Sequence, residues 1–280
     1  MRVLITNDDG IQATGLNALR LELRKIPDLE VHVVAPDSNR SATARSITTR
    51  SPLWVEEVPF DDGSNGYATE GTPVDCVRFA ELGLVGERPE LIVSGINHGS
   101  NLGDDITYSG TVAAALEGIV LGIPAIAISQ QSAAREMDFR WGREFDFSVA
   151  AAFAAELVKN VAQDPLPPDT LLNVNCPAGE PTGIEVTHLG KRLYNDEMKL
   201  VEEDRKTGRN RYQIYGFEPS FEDEAGSDLS AIARERISVT PVHFDLTDRP
   251  SLDRLKAWDF TGMLGRAETA AESAEAPTQR

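Results

Sequence analysis

"LITNDDGIQATG" (residues 4–15) places two acids side by side directly after an apolar run. Leu4 and Ile5 read as the end of a buried strand, and Asp8 and Asp9 follow within four residues. Adjacent like charges repel, and at the edge of a core they also lose hydration. An arrangement that is unfavourable on both counts requires a compensating partner. The flanking sequence alternates short apolar runs with amphipathic stretches. "RVLIT" (2–6) precedes "GLNALRLELRKI" (15–26), where Leu16, Leu19 and Leu23 fall at helical spacing. "EVHVVAP" (30–36), "ELIVSG" (90–95), "PAIAIS" (124–129) and "TLLNVN" (170–175) read as further strands. "PVDCVRFAEL" (73–82), "GTVAAALEGIVLG" (110–122) and "DFSVAAAFAAELVKNV" (146–161) read as helices, the first entered through Pro73. Residues 46–70 show no regular pattern. This alternation predicts an α/β fold over residues 1–180, with a mostly parallel sheet between helices on both faces.

From about residue 181 the pattern changes. "GIEVTHL" (183–189), "RYQIYGF" (211–217) and "RISVTPV" (236–242) read as strands separated by polar segments. Residues 181–265 are therefore expected to form a smaller β-rich extension, with a hairpin arm and "SLDRLKAWDF" (251–260) as a closing helix. The last stretch, "RAETAAESAEAPTQR" (266–280), is small, polar and acidic, and is expected to be a disordered tail.

Composition narrows the functional classes. A net charge of −18 on 280 residues argues against binding duplex nucleic acid through a basic surface. Lysine supplies only 6 of the 27 basic residues, a balance suited to a high-salt interior that screens self-repulsion. No stretch approaches the roughly 18 apolar residues of a membrane span. Met1-Arg2 leads straight into the first strand, so no leader is expected. Cys76 and Cys176 lack metal-type spacing and read as buried, reduced thiols of a cytoplasmic protein.

The polar residues gather after strands. Asp8 and Asp9 follow the first strand, "DSNRS" (37–41) the second, "GINHGSNLGDD" (95–105) another and "SQQS" (129–132) a fourth. In open parallel sheets, sites form outside the carboxyl ends of strands. The loop "SGINHGSNLGDDITYSGT" (94–111) carries Gly95, Gly99, Gly103 and Gly110 and ends in Ser109-Gly110-Thr111 at a helix start. Hydroxyls, free N–H groups and the positive helix end favour a phosphate there. Hard oxygen donors from Asp, Ser and Asn suit Mg²⁺ or Mn²⁺, which would offset the repulsion between the two acids.

Each piece also has a plain reading. Paired acids after a strand often cap a helix, Ser-Gly-Thr is often only a cap, and a Gly-rich loop is often only a turn. His32, His98, His188 and His243 are scattered, and none is assigned a role in the mechanism. The chain has no G-x-G-x-x-G after the first strand, no G-x-x-x-x-G-K-[ST] and no G-x-S-x-G.

Taken in order, "NDDG" (7–10), "VVAPDSNRS" (33–41), "GTPVDCV" (71–77), "VSGINHGSNLGDDITYSGTVAAALEG" (93–118) and "ISVTP" (237–241) resemble the SurE family of 5′/3′-nucleotidases. The resemblance spans roughly residues 1–245 and implies a Rossmann-like core whose extension is exchanged between subunits of a homodimer or homotetramer. It implies one divalent metal ion per subunit (Mg²⁺ or Mn²⁺), held by Asp8, Asp9, Ser41 and Asn97. Ser109, Gly110 and Thr111 match the phosphate-binding segment, and Asp8, Asp9 and Asn97 the catalytic residues. The implied reaction is hydrolysis of nucleoside 5′- and 3′-monophosphates to nucleoside and phosphate. A nucleotide-binding regulator or a metal-dependent transferase on the same fold are the alternatives. Two positions depart from the family pattern. Ala42 stands where many relatives have glycine, and an Asn or His is expected near Arg45, which reads as either a phosphate contact or a solvent-facing residue.

Overall fold

In the computed structural model, which describes residues 1–137, 144–194, 197–214 and 220–275, strands and helices alternate through the first 176 residues. They are β1 (Arg2–Thr6), α1 (Thr14–Leu23), β2 (Glu30–Pro36), β3 (Val55–Pro59), β4 (Asn65–Thr69), α2 (Pro73–Glu81) and β5 (Leu91–His98). A 3₁₀ turn (Gly103–Thr107), α3 (Gly110–Val120), β6 (Ala125–Gln130), α4 (Ser148–Gln163) and β7 (Thr170–Cys176) follow. Beyond them lie β8 (Gly183–Val186), β9 (Arg192–Leu193), β10 (Lys199–Asp204), β11 (Arg209–Gln213), β12 (Ser220–Phe221), α5 (Asp228–Ala233) and β13 (Arg236–His243).

Nine of these strands form one sheet in the order β3-β4-β2-β1-β5-β6-β7-β13-β8. Pairing is parallel from β4 to β7, with Val3 of β1 opposite Val31 of β2 and Leu91 of β5. β3 runs antiparallel to β4, and β13 antiparallel to β7. Strand order reverses at β1: β2 lies on one side and β5, a later strand, on the other. Chains leaving β1 and β5 therefore part in opposite directions, which opens a crevice at their carboxyl ends.

Two apolar layers flank the sheet. Val3, Ile5, Val93, Ile126 and Ile128 pack with Leu16, Leu19 and Leu23 of α1 and Ala150, Ala154 and Val158 of α4. Leu4, Ile92, Ala125 and Ala127 pack with Cys76, Val77 and Ala80 of α2 and Val112, Ala115 and Ile119 of α3. Successive strand residues point to opposite faces, so each buried strand reads as a continuous apolar run. The predicted three-layer α/β architecture is present.

Other expectations change in detail. β3 and β4 form within residues 46–70. Glu56 and Glu57 are exposed on edge strand β3, so that segment shows no apolar run. β8 and β13, within the extension expected from residue 181, complete the main sheet, and one unit runs from Met1 to Phe244. β10 and β11 pair as an antiparallel hairpin whose residues are all exposed. Residues 215–217 of the expected strand 211–217 lie outside the described residues. Residues 245–280 form a second unit holding α6 (Arg249–Lys256), capped by Asp248, and α7 (Phe260–Glu275). Helix thus occupies 266–275, where a disordered tail was expected; alanine and glutamate are strong helix formers. Residues 276–280 lie outside the described residues.

β7 also holds the long loop after β5. Asn101 N–H donates to Asn175 Oδ1 (2.8 Å), and Asn101 O accepts from the side-chain amides of Asn173 and Asn175 (3.0 Å each). All three residues are buried, so an unmade bond would leave a dry polar group. Asn175→Leu should lower the unfolding free energy by about 2–4 kcal/mol in urea titrations, and a loss under about 0.5 kcal/mol would refute this role.

Candidate active site

The turn after β1 is closed by Asn7, whose side chain accepts from Gly10 N–H (3.2 Å) and donates to Gly10 O (2.9 Å). Asp8 and Asp9 sit at its tip, Asp8 buried and Asp9 half-buried with its side chain 8% exposed. They do not cap the next helix: the N-cap of α1 is Ala13, and its first turn holds no acid. The plain capping reading of this pair therefore fails.

Three loops meet the two carboxylates. The hydroxyl of Thr111, in the first turn of α3, donates to Asp8 Oδ1 at 2.5 Å. Gly110 approaches Asp8 so closely that a Cβ there would lie 2.7 Å from Asp8 Cβ. From the loop after β2, Arg40 N–H donates to Asp8 O (2.6 Å) and Asn39 Nδ2 to Asp9 Oδ1 (3.3 Å). From the end of β5, His98 N–H donates to Asp9 Oδ2 at 3.1 Å, and His98 Nδ1 lies 2.8 Å from the same oxygen. Burial raises the Asp8 carboxyl to about 6, with the Asp9 charge adding to the effect and the Thr111 hydroxyl opposing it.

The other expected residues lie on the same rim. Asn97, buried, donates its Nδ2 to Gly99 O (2.8 Å), which leaves its amide oxygen as an acceptor. Ser41 is exposed, and its N–H donates to Asn39 Oδ1 (2.9 Å), the residue that reaches Asp9. Ala42 beside it adopts φ 59°, the left-handed conformation that glycine takes more readily. Ser109 is the N-cap of α3, with Oγ accepting from Val112 N–H (3.1 Å). The first N–H groups of such a helix have no intrahelical partner. Arg45 is engaged elsewhere: it pairs with the buried Glu117 (2.5 Å), and its guanidinium lies 4.7 Å from the Phe244 ring centroid. Cys76 and Cys176 are buried free thiols, and burial pushes Cys176 up to about 12.

Sequence reading missed the parts that brace this rim. His98 was assigned no role, yet it contacts Asp9 directly. Arg192 is fully buried and donates through Nε (2.9 Å) and Nη2 (2.6 Å) to Asp105 Oδ2 in the 3₁₀ turn before Ser109. Tyr194 OH donates to Asp105 Oδ1 (2.7 Å). Asp228 accepts from Gly103 N–H and Gly190 N–H, at 2.8 Å each. Gly103 has φ 53°, and a Cβ there would lie 2.6 Å from Gly190 O. No local pattern links residues so far apart in sequence.

The donor set is two carboxylates, a hydroxyl and an amide oxygen. Among the described residues no group of three or more His, Cys, Asp and Glu is placed to hold a metal ion. Two neighbouring carboxylates, one of them raised by burial and further by the charge of the other, nevertheless fit a hard divalent cation.

The model of the Survival protein SurE family matches residues 3–196. The chain belongs to this family. A "5′-nucleotidase SurE" of Rubrobacter xylanophilus is 52% identical over 271 residues, covering 95% of this chain and all of that protein. A second "5′-nucleotidase SurE", from Geobacter metallireducens, is 46% identical over 94% of this chain and 99% of its own length. Among solved structures, the SurE protein from Aquifex aeolicus superposes with a TM-score of 0.75. It is 37% identical, over 91% of this chain and 98% of that one.

The buried charge has a measurable consequence in the metal-free protein. Asp8 titrates higher folded (about 6) than its ordinary 3.8, so its ionised form destabilises the fold above pH 6 and the cost vanishes below pH 4. Asp8→Asn should therefore raise the metal-free unfolding free energy by about 1–3 kcal/mol at pH 8, with the gain fading toward pH 4. Urea titrations across that range check it, and equal stability at pH 8 would contradict the buried charge.

Proposed function

We propose that this 5′-nucleotidase hydrolyses nucleoside monophosphates with a divalent cation held by Asp8, Asp9, Ser41 and Asn97. The observation that carries the reading is the contact between the opening acids and the phosphate-type helix start: Thr111 Oγ1 donates to Asp8 Oδ1, and Gly110 abuts the same side chain. One element built for a cation and one built for an anion thus share a boundary. The 5′-nucleotidase names of the Rubrobacter and Geobacter relatives support the substrate class. Action on 3′-monophosphates, and Mg²⁺ or Mn²⁺ as the ion, are parts of the same proposal.

When bound, the cation supplies positive charge that polarises a phosphoryl oxygen and lowers the pKa of water. The protein's own residues do the remainder. Ser109, Thr111 and the free N–H groups at the start of α3 hold phosphoryl oxygens and accept the charge that develops as the P–O bond breaks. Asp8 or Asp9 orients the attacking water and receives its proton, then returns that proton to the nucleoside oxygen as it leaves. Gly110 keeps the helix start close enough for both groups to act on one phosphate.

The proposed catalytic core is residues 1–180, which carry every residue named in this reaction. For the extension we propose an arm exchanged between subunits of a homodimer or homotetramer. Its hairpin exposes Leu200, Val201 and Tyr212, which a second subunit would cover. Among the described residues no helix is long and apolar enough to cross a membrane, and we place the enzyme in the cytoplasm.

Phosphate release from a panel of nucleoside monophosphates tests the reaction. A chelator should silence the enzyme and Mg²⁺ or Mn²⁺ restore it, and Asp8→Asn should cut kcat by at least about 100-fold in folded protein. Activity that survives either treatment would refute the cation site. Gly110→Ala places a methyl group against Asp8 and should reduce kcat/KM about 100-fold or more through misplacement of the phosphate. Wild-type kinetics in that variant would remove Ser109–Thr111 from the site.

A further inference from the structure

His98 ends β5, one residue after Asn97, and is held from several sides. Its backbone N–H and its ring Nδ1 both contact Asp9 Oδ2, at 3.1 and 2.8 Å. An ionised carboxylate only accepts, so the Nδ1 that faces it carries a proton. Thr14 Oγ1, at the first residue of α1, lies within hydrogen-bond distance of Nε2 at 3.1 Å. Phe145 and Phe147, the segment leading into α4, meet the imidazole edge-on with centroids 5.1 and 4.8 Å away. The two phenyl rings stack on each other at 5.6 Å. Ring tilt and position are therefore held by Thr14 and the two phenyl rings, outside the rim, while Nδ1 faces Asp9.

We propose that His98 is a positioning residue for Asp9. Its two donors, backbone and ring, clamp one carboxylate oxygen and stop rotation of the group. Among the described residues the other oxygen has only the longer contact from Asn39 (3.3 Å), so the clamp fixes which oxygen Asp9 offers to a cation. A histidine packed only for bulk would need its phenyl neighbours and a partner for each nitrogen, but not a second donor aimed at the same carboxylate oxygen. Groups that hydrogen-bond a ligating carboxylate typically change metal affinity 10–100-fold. This inference rests on the proposed role of Asp9 as a cation ligand.

The test is Mn²⁺ affinity of the full chain without substrate, read from the free-ion electron paramagnetic resonance signal. His98→Ala should weaken Mn²⁺ binding about 10–100-fold. In His98→Asn the side-chain amide stands where Nδ1 stood, so affinity should stay within about threefold of wild type. His98→Gln reaches instead toward the Nε2 position and should bind as weakly as His98→Ala. Asn and Gln both forfeit the ring's packing, so a split between them isolates the donor to Asp9, and thermal melts establish that each variant is folded. His98→Asn binding as weakly as His98→Ala would assign the effect to packing and overturn the clamp. Asp9→Asn separates the two readings. If it loses Mn²⁺ while His98→Ala binds like wild type, the positioning role falls and the cation site stands. If Asp9→Asn binds Mn²⁺ as tightly as wild type, both fall.

Discussion

Two carboxylates on consecutive residues, one buried and the other largely enclosed, are the constraint around which the rest of this molecule is arranged. Asp8 and Asp9 leave β1 at the point where strand order reverses, so the loops after β2 and β5 and the start of α3 all reach them. Ionising both in that position is unfavourable, as the raised Asp8 carboxyl records. Donors from Thr111, Asn39 and His98 lessen the cost without neutralising it. No lysine or arginine side chain pairs with either acid among the described ion pairs, which is the charge imbalance that the proposed cation would offset. The site is thus a place where folding free energy is given up for binding, a common condition of active sites.

Rigidity of the side proposed to bind phosphate comes from far along the chain. The loop from Gly99 to Ser109 is glycine-rich and would be loose alone, but Asn173 and Asn175 of β7 hold its early part. Asp228 at the start of α5 holds Gly103, and Arg192 of β9 holds Asp105. A buried ion pair is a weak source of net stability, but it is demanding in geometry. Its place directly before Ser109 links the base of the extension to the start of α3. The part of the chain least like a nucleotide-binding fold therefore braces the segment proposed to hold the phosphate.

The core was legible because its signals are local. β1, α1, β2, α2, β6, α4 and β7 lie within a few residues of where apolar spacing puts them, since each must bury one stripe or both faces. β3 and β4 were not, because "VEEVP" and "NGYAT" serve an edge of the sheet and carry few apolar residues. Asp8, Asp9, Asn97 and Ser109–Thr111 could be collected from sequence because each lies at or just past the end of a strand or opens a helix. His98 could not, since a lone histidine carries no spacing signal. Its identity as a partner of Asp9 exists only once β5 lies beside β1.

Apolar periodicity and strand-end polarity by themselves determined the layered α/β core and the rim on which the polar residues gather, and the ordered motifs along that rim carried the family resemblance. Tertiary structure alone decided which atoms meet. It set Thr111 on Asp8, His98 on Asp9 and Arg192 on Asp105, and it drew β8 and β13 into the main sheet. The division has a physical origin. Burial of a periodic stripe is a property of a short segment, whereas a hydrogen bond between residues about ninety positions apart depends on how every intervening element packs.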